Sequence, residues 1–274
     1  MELEQDLNSL RKHGLGLAAI SYDSVAILKN FADRKKITYP LLSDADSKII
    51  RAFGILNGTV KPGTAQYGIP YPGTFLVDPK GKIVSKYFED DMRERVTASD
   101  ILAGRFGALA PESSRTLEAK HVSLTTAAST PVARPGHRIL LSLEIDLGPK
   151  MHVYAPGVTG YLPIDWKLEE TGAAKAFPFQ YPPAQKVNLK VIHETALVYR
   201  GRVRITREIT FGQENALKPL LTPSGELVLK GSLRYQACDD RQCYLPETAP
   251  LEWRFHFEGM ERERAPAELQ RKAQ

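Results

Sequence analysis

A chain of 274 residues, 42% hydrophobic and 25% charged, has the make-up of a globular protein with room for two ordinary domains. Its formal charge of +5 is scattered among acids, and no basic stripe with interleaved aromatics marks a nucleic-acid surface. No run approaches the roughly 18 apolar residues of a membrane-spanning helix, and the opening residues do not read as a secretory signal.

The chain opens inside an amphipathic pattern, with Leu3, Leu7 and Leu10 on one face. This predicts a helix from Leu3 to His13, ended by Gly14. An opening in mid-pattern carries the expectation that an upstream segment was cut away, one able to hold a signal peptide or an anchor. Leu15 to Ser21 reads as a short apolar strand buried on both faces. Asp23 or Ser24 caps a helix from Val25 to Lys35. A short strand at Leu41-Leu42 follows Pro40, and a helix runs from Asp44 through Phe53 to its stop at Gly54. Thr74 to Asp78, the turn Pro79-Lys80-Gly81, and Lys82 to Phe88 form a hairpin. Ala98 to Phe106 is the last helix of this alternating region. Asp23, Asp44 and Asp46 lie near strand ends and read as helix caps rather than acid–base groups.

The rhythm then changes. Gly107, Pro111, Ser113 and Ser114 mark residues 107–120 as a linker. Strand patterns follow at His121–Thr126, Ile139–Asp146, Trp166–Leu168, Leu197–Val203, Val203–Phe211, Glu226–Tyr235 and Leu251–Phe257, the spacing of a β-sandwich. Trp166 and Trp253 are expected in its core. The end of the chain, 259–274, reads as a charged tail. No histidine pair has metal-ligand spacing, and Gly14 and Gly16 are too few for a phosphate loop.

The chemistry concentrates in one window. Both cysteines, Cys238 and Cys243, fall there with four residues between them, Asp239 to Gln242. Such a loop closes a hairpin, and facing strand residues lie about 4.5 or 5.5 Å apart, which a disulfide tolerates. Three readings stand. One is a structural staple, for which so short a ring restricts the unfolded chain by only roughly 2 kcal/mol. Another is a metal half-site, for which no second cysteine pair exists. The third is a redox-active dithiol, where Arg234 and Arg241 favour a thiolate and Asp239 and Asp240 oppose it.

The window Tyr235-Gln-Ala-Cys238-Asp-Asp-Arg-Gln-Cys243-Tyr-Leu-Pro246 resembles the cysteine motif of the N-terminal domain of the thiol:disulfide interchange protein DsbD family. The likeness extends over roughly residues 119 to 258, through Pro135-Gly136-His137, Ile139–Asp146, Met151-His-Val-Tyr154 and Leu197–Val203. It implies an immunoglobulin-like sandwich in which Cys243 attacks and links to the partner, Cys238 resolves the mixed disulfide, and Tyr154 and Tyr235 lie beside the pair. That family shields its disulfide with a cap loop bearing phenylalanine. The corresponding stretch here, Gln185 to Glu194, has none and is more basic, with His193 and Glu194 as its polar candidates.

The first region resembles a redoxin (AhpC/TSA) of the thioredoxin-like superfamily, through Leu17–Asp23, Tyr39–Asp44, Ala52–Ile55 and Tyr71-Pro-Gly-Thr-Phe-Leu-Val-Asp-Pro-Lys-Gly-Lys82. The resemblance implies that Pro72 is cis and abuts the active site. The family's reactive cysteine belongs at the start of the helix that opens this chain, and no cysteine precedes Cys238.

The expected architecture is therefore a truncated α/β thioredoxin-like domain at 1–106, a linker at 107–120, an all-β immunoglobulin-like domain at 121–258 and a tail at 259–274. The expected function is thiol:disulfide exchange through Cys238 and Cys243, without cofactor or metal, in the bacterial periplasm or cell envelope. The expected partners are a membrane-embedded thiol carrier and envelope thioredoxin-like proteins, with a homodimer through the open sheet position. Two alternatives stay open: a non-catalytic recognition module with a structural disulfide, and a peroxidase or reductase whose cysteine lies upstream.

Overall fold

The computed structural model describes residues 2–89, 91–189 and 194–270. The chain divides into two compact units, Met1–Ile101 with Glu261–Gln274, and Leu102–Met260.

The first unit alternates helix and strand. In chain order it holds α1 (Glu2–Lys12), β1 (Ala19–Ser21), α2 (Val25–Lys35), β2 (Leu41–Ser43), α3 (Lys48–Ala52), β3 (Gly73–Val77), β4 (Ile83–Phe88) and β5 (Arg95–Val96). Helix α4 (Ala98–Phe106) contains the boundary between the units. Leu7 and Leu10 bury the apolar face of α1, and Gly14 takes φ 74° where the helix ends. Ser24 Oγ accepts the Ile27 N–H and caps α2. Asp44 is buried, and its carboxylate accepts the N–H groups of Ile49 (3.2 Å) and Ile50 (2.8 Å) in the first turn of α3. Asp46 Oδ1 accepts the Lys48 N–H, whereas Asp23 takes the Ser21 hydroxyl rather than a helix N–H. The β3–β4 hairpin turns through Asp78, which accepts the N–H groups of Lys80 and Lys82, and Gly81 at φ 80°.

Three expectations change in this unit. The strand expected from Leu15 shrinks to β1, because its parallel partner β2 offers only three residues of ladder. Burial on both faces does not hold either: Ile20 and Leu42, at the middle of these strands, are 37% and 51% exposed in a two-stranded sheet. Pro72 is not cis, since no cis peptide occurs among the described residues. Trans is the lower-energy form of an X–Pro bond. The approach to β3 is set instead by the Tyr71 N–H on Ile55 O (2.7 Å) and the bridge between Leu56 and Pro70. The charged tail is also tied down where described: Glu261 and Glu263 pair with Lys35, and Glu263 with Arg34.

The second unit is built of strands: β6 (Arg115–Ala119), β7 (Val122–Ala128), β8 (Val132–Ala133), β9 (His137–Leu147), β10 (His152–Tyr154), β11 (Asp165–Leu168), β12 (Ala174–Gln180), β13 (Gln185–Leu189), β14 (Glu194–Arg200), β15 (Arg202–Phe211), β16 (Glu226–Tyr235), β17 (Ala237–Cys238) and β18 (Glu247–Phe257). A short helix, α5 (Glu214–Leu217), interrupts them. One sheet runs β12-β15-β9-β7-β6 and a second β11-β16-β18-β8. Alternate residues of both point into one core, including Ile139, Leu141 and Leu143 from β9 and Leu251, Trp253 and Phe255 from β18. Trp166 and Trp253 stack at 5.3 Å inside it, and Trp253 Nε1 donates to Ala127 O. A third sheet, β13-β14-β10-β17, carries the cysteine window.

Residues 115–119, expected in the linker, form β6 and pair with β7 throughout. Ser113 belongs to the sandwich too, its hydroxyl accepting the Ala128 N–H at 2.8 Å. The single strand expected over Leu197–Val203 is divided by Gly201, which at φ 65° makes the turn from β14 into β15.

Candidate functional site

The cysteine window is assembled by strand alternation. On β10, Val153 faces the main core, while His152 and Tyr154 face the opposite way. On β17, Ala237 pairs with Val153 and Cys238 with His152, so Cys238 shares the face of His152 and Tyr154. From β14, Val198 and Arg200 pair with Tyr154 and His152 on that face. Tyr154, Ala196, Val198 and Cys238 form a small apolar cluster of their own, with Val158, Tyr161 and Val187 against it.

A disulfide joins Cys238 to Cys243, with 4.0 Å between their Cα atoms, across the hairpin the spacing predicts. Asp239 N–H bonds Gln242 O, and Tyr244 N–H bonds Ala237 O, each at 2.9 Å. Asp239 organises the loop: Oδ1 accepts the N–H groups of Arg241 (2.7 Å) and Gln242 (2.8 Å), and Oδ2 the Tyr244 hydroxyl (2.8 Å). These bonds hold its carboxyl below the ordinary carboxylate range, the Arg241 N–H contributing most.

The two sulfurs have unequal surroundings. Cys238 is 1% exposed, while Cys243 is exposed to solvent. The Tyr154 hydroxyl lies 3.5 Å from Cys243 Sγ and 3.7 Å from Cys238 Sγ. Disulfide sulfurs carry no hydrogen, so the hydroxyl is the donor to both. Tyr161 stacks on the Tyr154 ring at 4.4 Å and fixes its plane. His152 meets Tyr154 edge to face at 5.6 Å; burial first, and the Arg200 charge second, lower its pKa from the ordinary imidazole value.

Of the residues singled out from the sequence, Cys238, Cys243 and Tyr154 come together. Tyr235 does not join them: it is buried in the main core, and its hydroxyl donates to Lys120 O at 2.8 Å. The alternation of β16 turns it inward, so proximity in sequence to Cys238 does not become proximity of its hydroxyl to the sulfurs. Pro72 belongs to the first unit. His193 lies outside the described residues. Arg234 stands exposed on β16, opposite Asp165 and Thr248. Sequence reasoning missed His152, Tyr161 and the loop-organising role of Asp239. The i, i+2 spacing of His152 and Tyr154 was the available signal for the first. Among the described residues no group of three or more His, Cys, Asp or Glu could hold a metal ion, and no helix is long and apolar enough to cross a membrane.

Comparison with known proteins matches two separate stretches of the chain. Residues 1–86 match the model of the AhpC/TSA family, and residues 119–252 match that of thiol:disulfide interchange protein DsbD, N-terminal. The N-terminal region is therefore thioredoxin-like and is followed by a domain of the DsbD N-terminal type. Peroxiredoxin Bcp of Escherichia coli (strain K12) is 32% identical over 81 residues, 30% of this chain and 51% of that protein. Peroxiredoxin Bcp of Xanthomonas campestris pv. campestris is 33% identical over 76 residues, 28% of this chain and 47% of that protein. The chain spans about half the length of the curated relatives it matches. Among solved structures, the N-terminal periplasmic domain of ScsB from Proteus mirabilis aligns with a TM-score of 0.36 at 13% identity, over 52% of this chain and 49% of that one. The reduced Neisseria meningitidis DsbD N-terminal domain aligns with a TM-score of 0.28 at 12% identity, over 41% and 74%.

Proposed function

We propose that this chain, thioredoxin-like over 1–86 and of the DsbD N-terminal type over 119–252, is a thiol:disulfide oxidoreductase working through Cys238 and Cys243. The observation that carries the reading is the asymmetry of the bridge: Cys243 is an exposed residue and Cys238 a buried one. Cys243 is then the sulfur attacked by an electron donor, and its thiolate attacks an oxidised partner. Cys238 resolves the mixed disulfide from within. Tyr154 donates to whichever sulfur carries charge. The two sheets closing on Trp166 and Trp253 support an immunoglobulin-like sandwich as the carrier of this site. An exchangeable bridge fits the oxidising bacterial envelope, with a membrane thiol carrier as donor and thioredoxin-like proteins as acceptors. The first unit contributes no cysteine to this chemistry within residues 1–106. A dimer through its sheets is a further proposal, which sedimentation checks.

The experiment is trapping. Reduced Cys238→Ser, mixed with an oxidised thioredoxin-like protein, should accumulate a mixed disulfide through Cys243, whereas Cys243→Ser should accumulate none. Equal trapping by both variants, or by neither, contradicts the assignment.

A further inference from the structure

Resolution by Cys238 poses a problem that Cys243 does not have. A thiol 1% exposed pays for ionisation with desolvation, so its thiolate is disfavoured unless a neighbour takes the proton. The neighbour is present. His152 is 2% exposed, and neither ring nitrogen has a hydrogen-bond partner among the described residues. Buried polar groups are ordinarily satisfied, and one that is not calls for an explanation. Its register position is directly opposite Cys238, where side chains share a face with Cβ atoms about 4.5–5.5 Å apart. The two side chains are therefore neighbours on one face of the sheet.

We propose that His152 is the proton acceptor for Cys238 when the mixed disulfide on Cys243 is resolved, an inference that rests on the exchange reading above. The Cys238 Sγ–H gives its proton to a His152 ring nitrogen. The thiolate electron pair attacks Cys243 Sγ, the Cys238–Cys243 bond forms, and the bond from Cys243 Sγ to the partner sulfur breaks. The partner sulfur leaves with that electron pair and takes up a proton. The cysteine pair loses two electrons and the partner's disulfide gains them. In the reverse direction the imidazolium returns its proton to Cys238 as it leaves.

The surroundings suit the role. Facing His152 are Arg200 from β14, the Tyr154 ring on its own strand, Cys238 from β17, and the charges of Asp239 and Asp240. Burial and Arg200 keep the ring neutral, the form that accepts a proton, while the two aspartates favour the cation that follows.

The test uses the full chain, reduced and mixed with dithiobis(nitrobenzoate). Attack by Cys243 releases one chromophore and resolution by Cys238 releases the second, so the first release is an internal reference. His152→Gln should slow the second release on the order of a hundredfold, the contribution of a positioned base. Its rate should then fall away below the ordinary thiol range near about pH 8.5, where the wild type stays fast. A second release with unchanged rate and pH profile overturns the proposal. Absence of the first release in the wild type overturns the exchange reading itself, and this inference with it. Should the variant not fold, the wild-type His152 ring is titrated by NMR in the oxidised and reduced states. A higher inflection in the reduced state supports proton transfer from Cys238, and identical inflections overturn it.

Discussion

The Tyr154 hydroxyl sits within reach of both sulfurs, so it can follow negative charge from one to the other without moving its ring. A hydrogen bond to a charged group is worth about 1.5–3 kcal/mol, and these sulfur contacts are long. Tyr154→Phe is therefore expected to raise the pH at which reduced Cys243 ionises by about one unit, read from its alkylation rate against pH. An unchanged profile would remove Tyr154 from the site. Asp239 makes a second prediction at this scale. Its folded pKa is depressed, so its contribution to the loop is present above the ordinary carboxylate value near about 3.9 and is lost as pH falls through the lower folded value. The amide resonances of Arg241 and Gln242 should stay constant near neutrality and shift only in acid, and in Asp239→Ala that acid shift should disappear.

Helix α3 has only five residues and depends on its cap. Asp44→Ala removes the acceptor for two first-turn N–H groups and should destabilise the first unit by about 1–2 kcal/mol in denaturant unfolding. No loss would mean that water caps the helix equally well. The same element was legible only in part: a helix was expected from Asp44 through Phe53, but only Lys48–Ala52 is helical, residues 44–47 forming the turn that carries the capping carboxylate. Helices α2 and α4, whose ranges agree with their predicted ones, were legible in the sequence, as was the β3–β4 hairpin with its Asp-Pro-Lys-Gly turn. Elements defined by their neighbours were harder to read. Strand β6 was hidden by the serines and proline before it, and only its pairing with β7 reveals it. Strand β12 contains Pro178, which a strand tolerates at a sheet edge, where β12 lies. At the site, the cysteines and Tyr154 were legible from motif and spacing. The inward turn of Tyr235 and the placement of His152 opposite Cys238 follow from register, which no local pattern fixes.

At the scale of the molecule, each unit is a compact body, and the sandwich has a core of its own. We propose that it folds by itself, with a start earlier than the linker pattern suggests. A fragment of residues 107–260 should melt well above one of 121–258, which lacks β6 and the Ser113 bonds and leaves the β7 edge open. Equal melting temperatures would return residues 107–120 to the role of a linker. The central claim is that the Cys238–Cys243 bridge carries electrons, and its equilibrium reduction potential tests this most directly, by redox titration of the native chain with mass-tagging of free thiols. The account predicts a value of about −180 to −270 mV, among proteins that exchange disulfides; a value well below about −300 mV, the range of structural bridges, would contradict it.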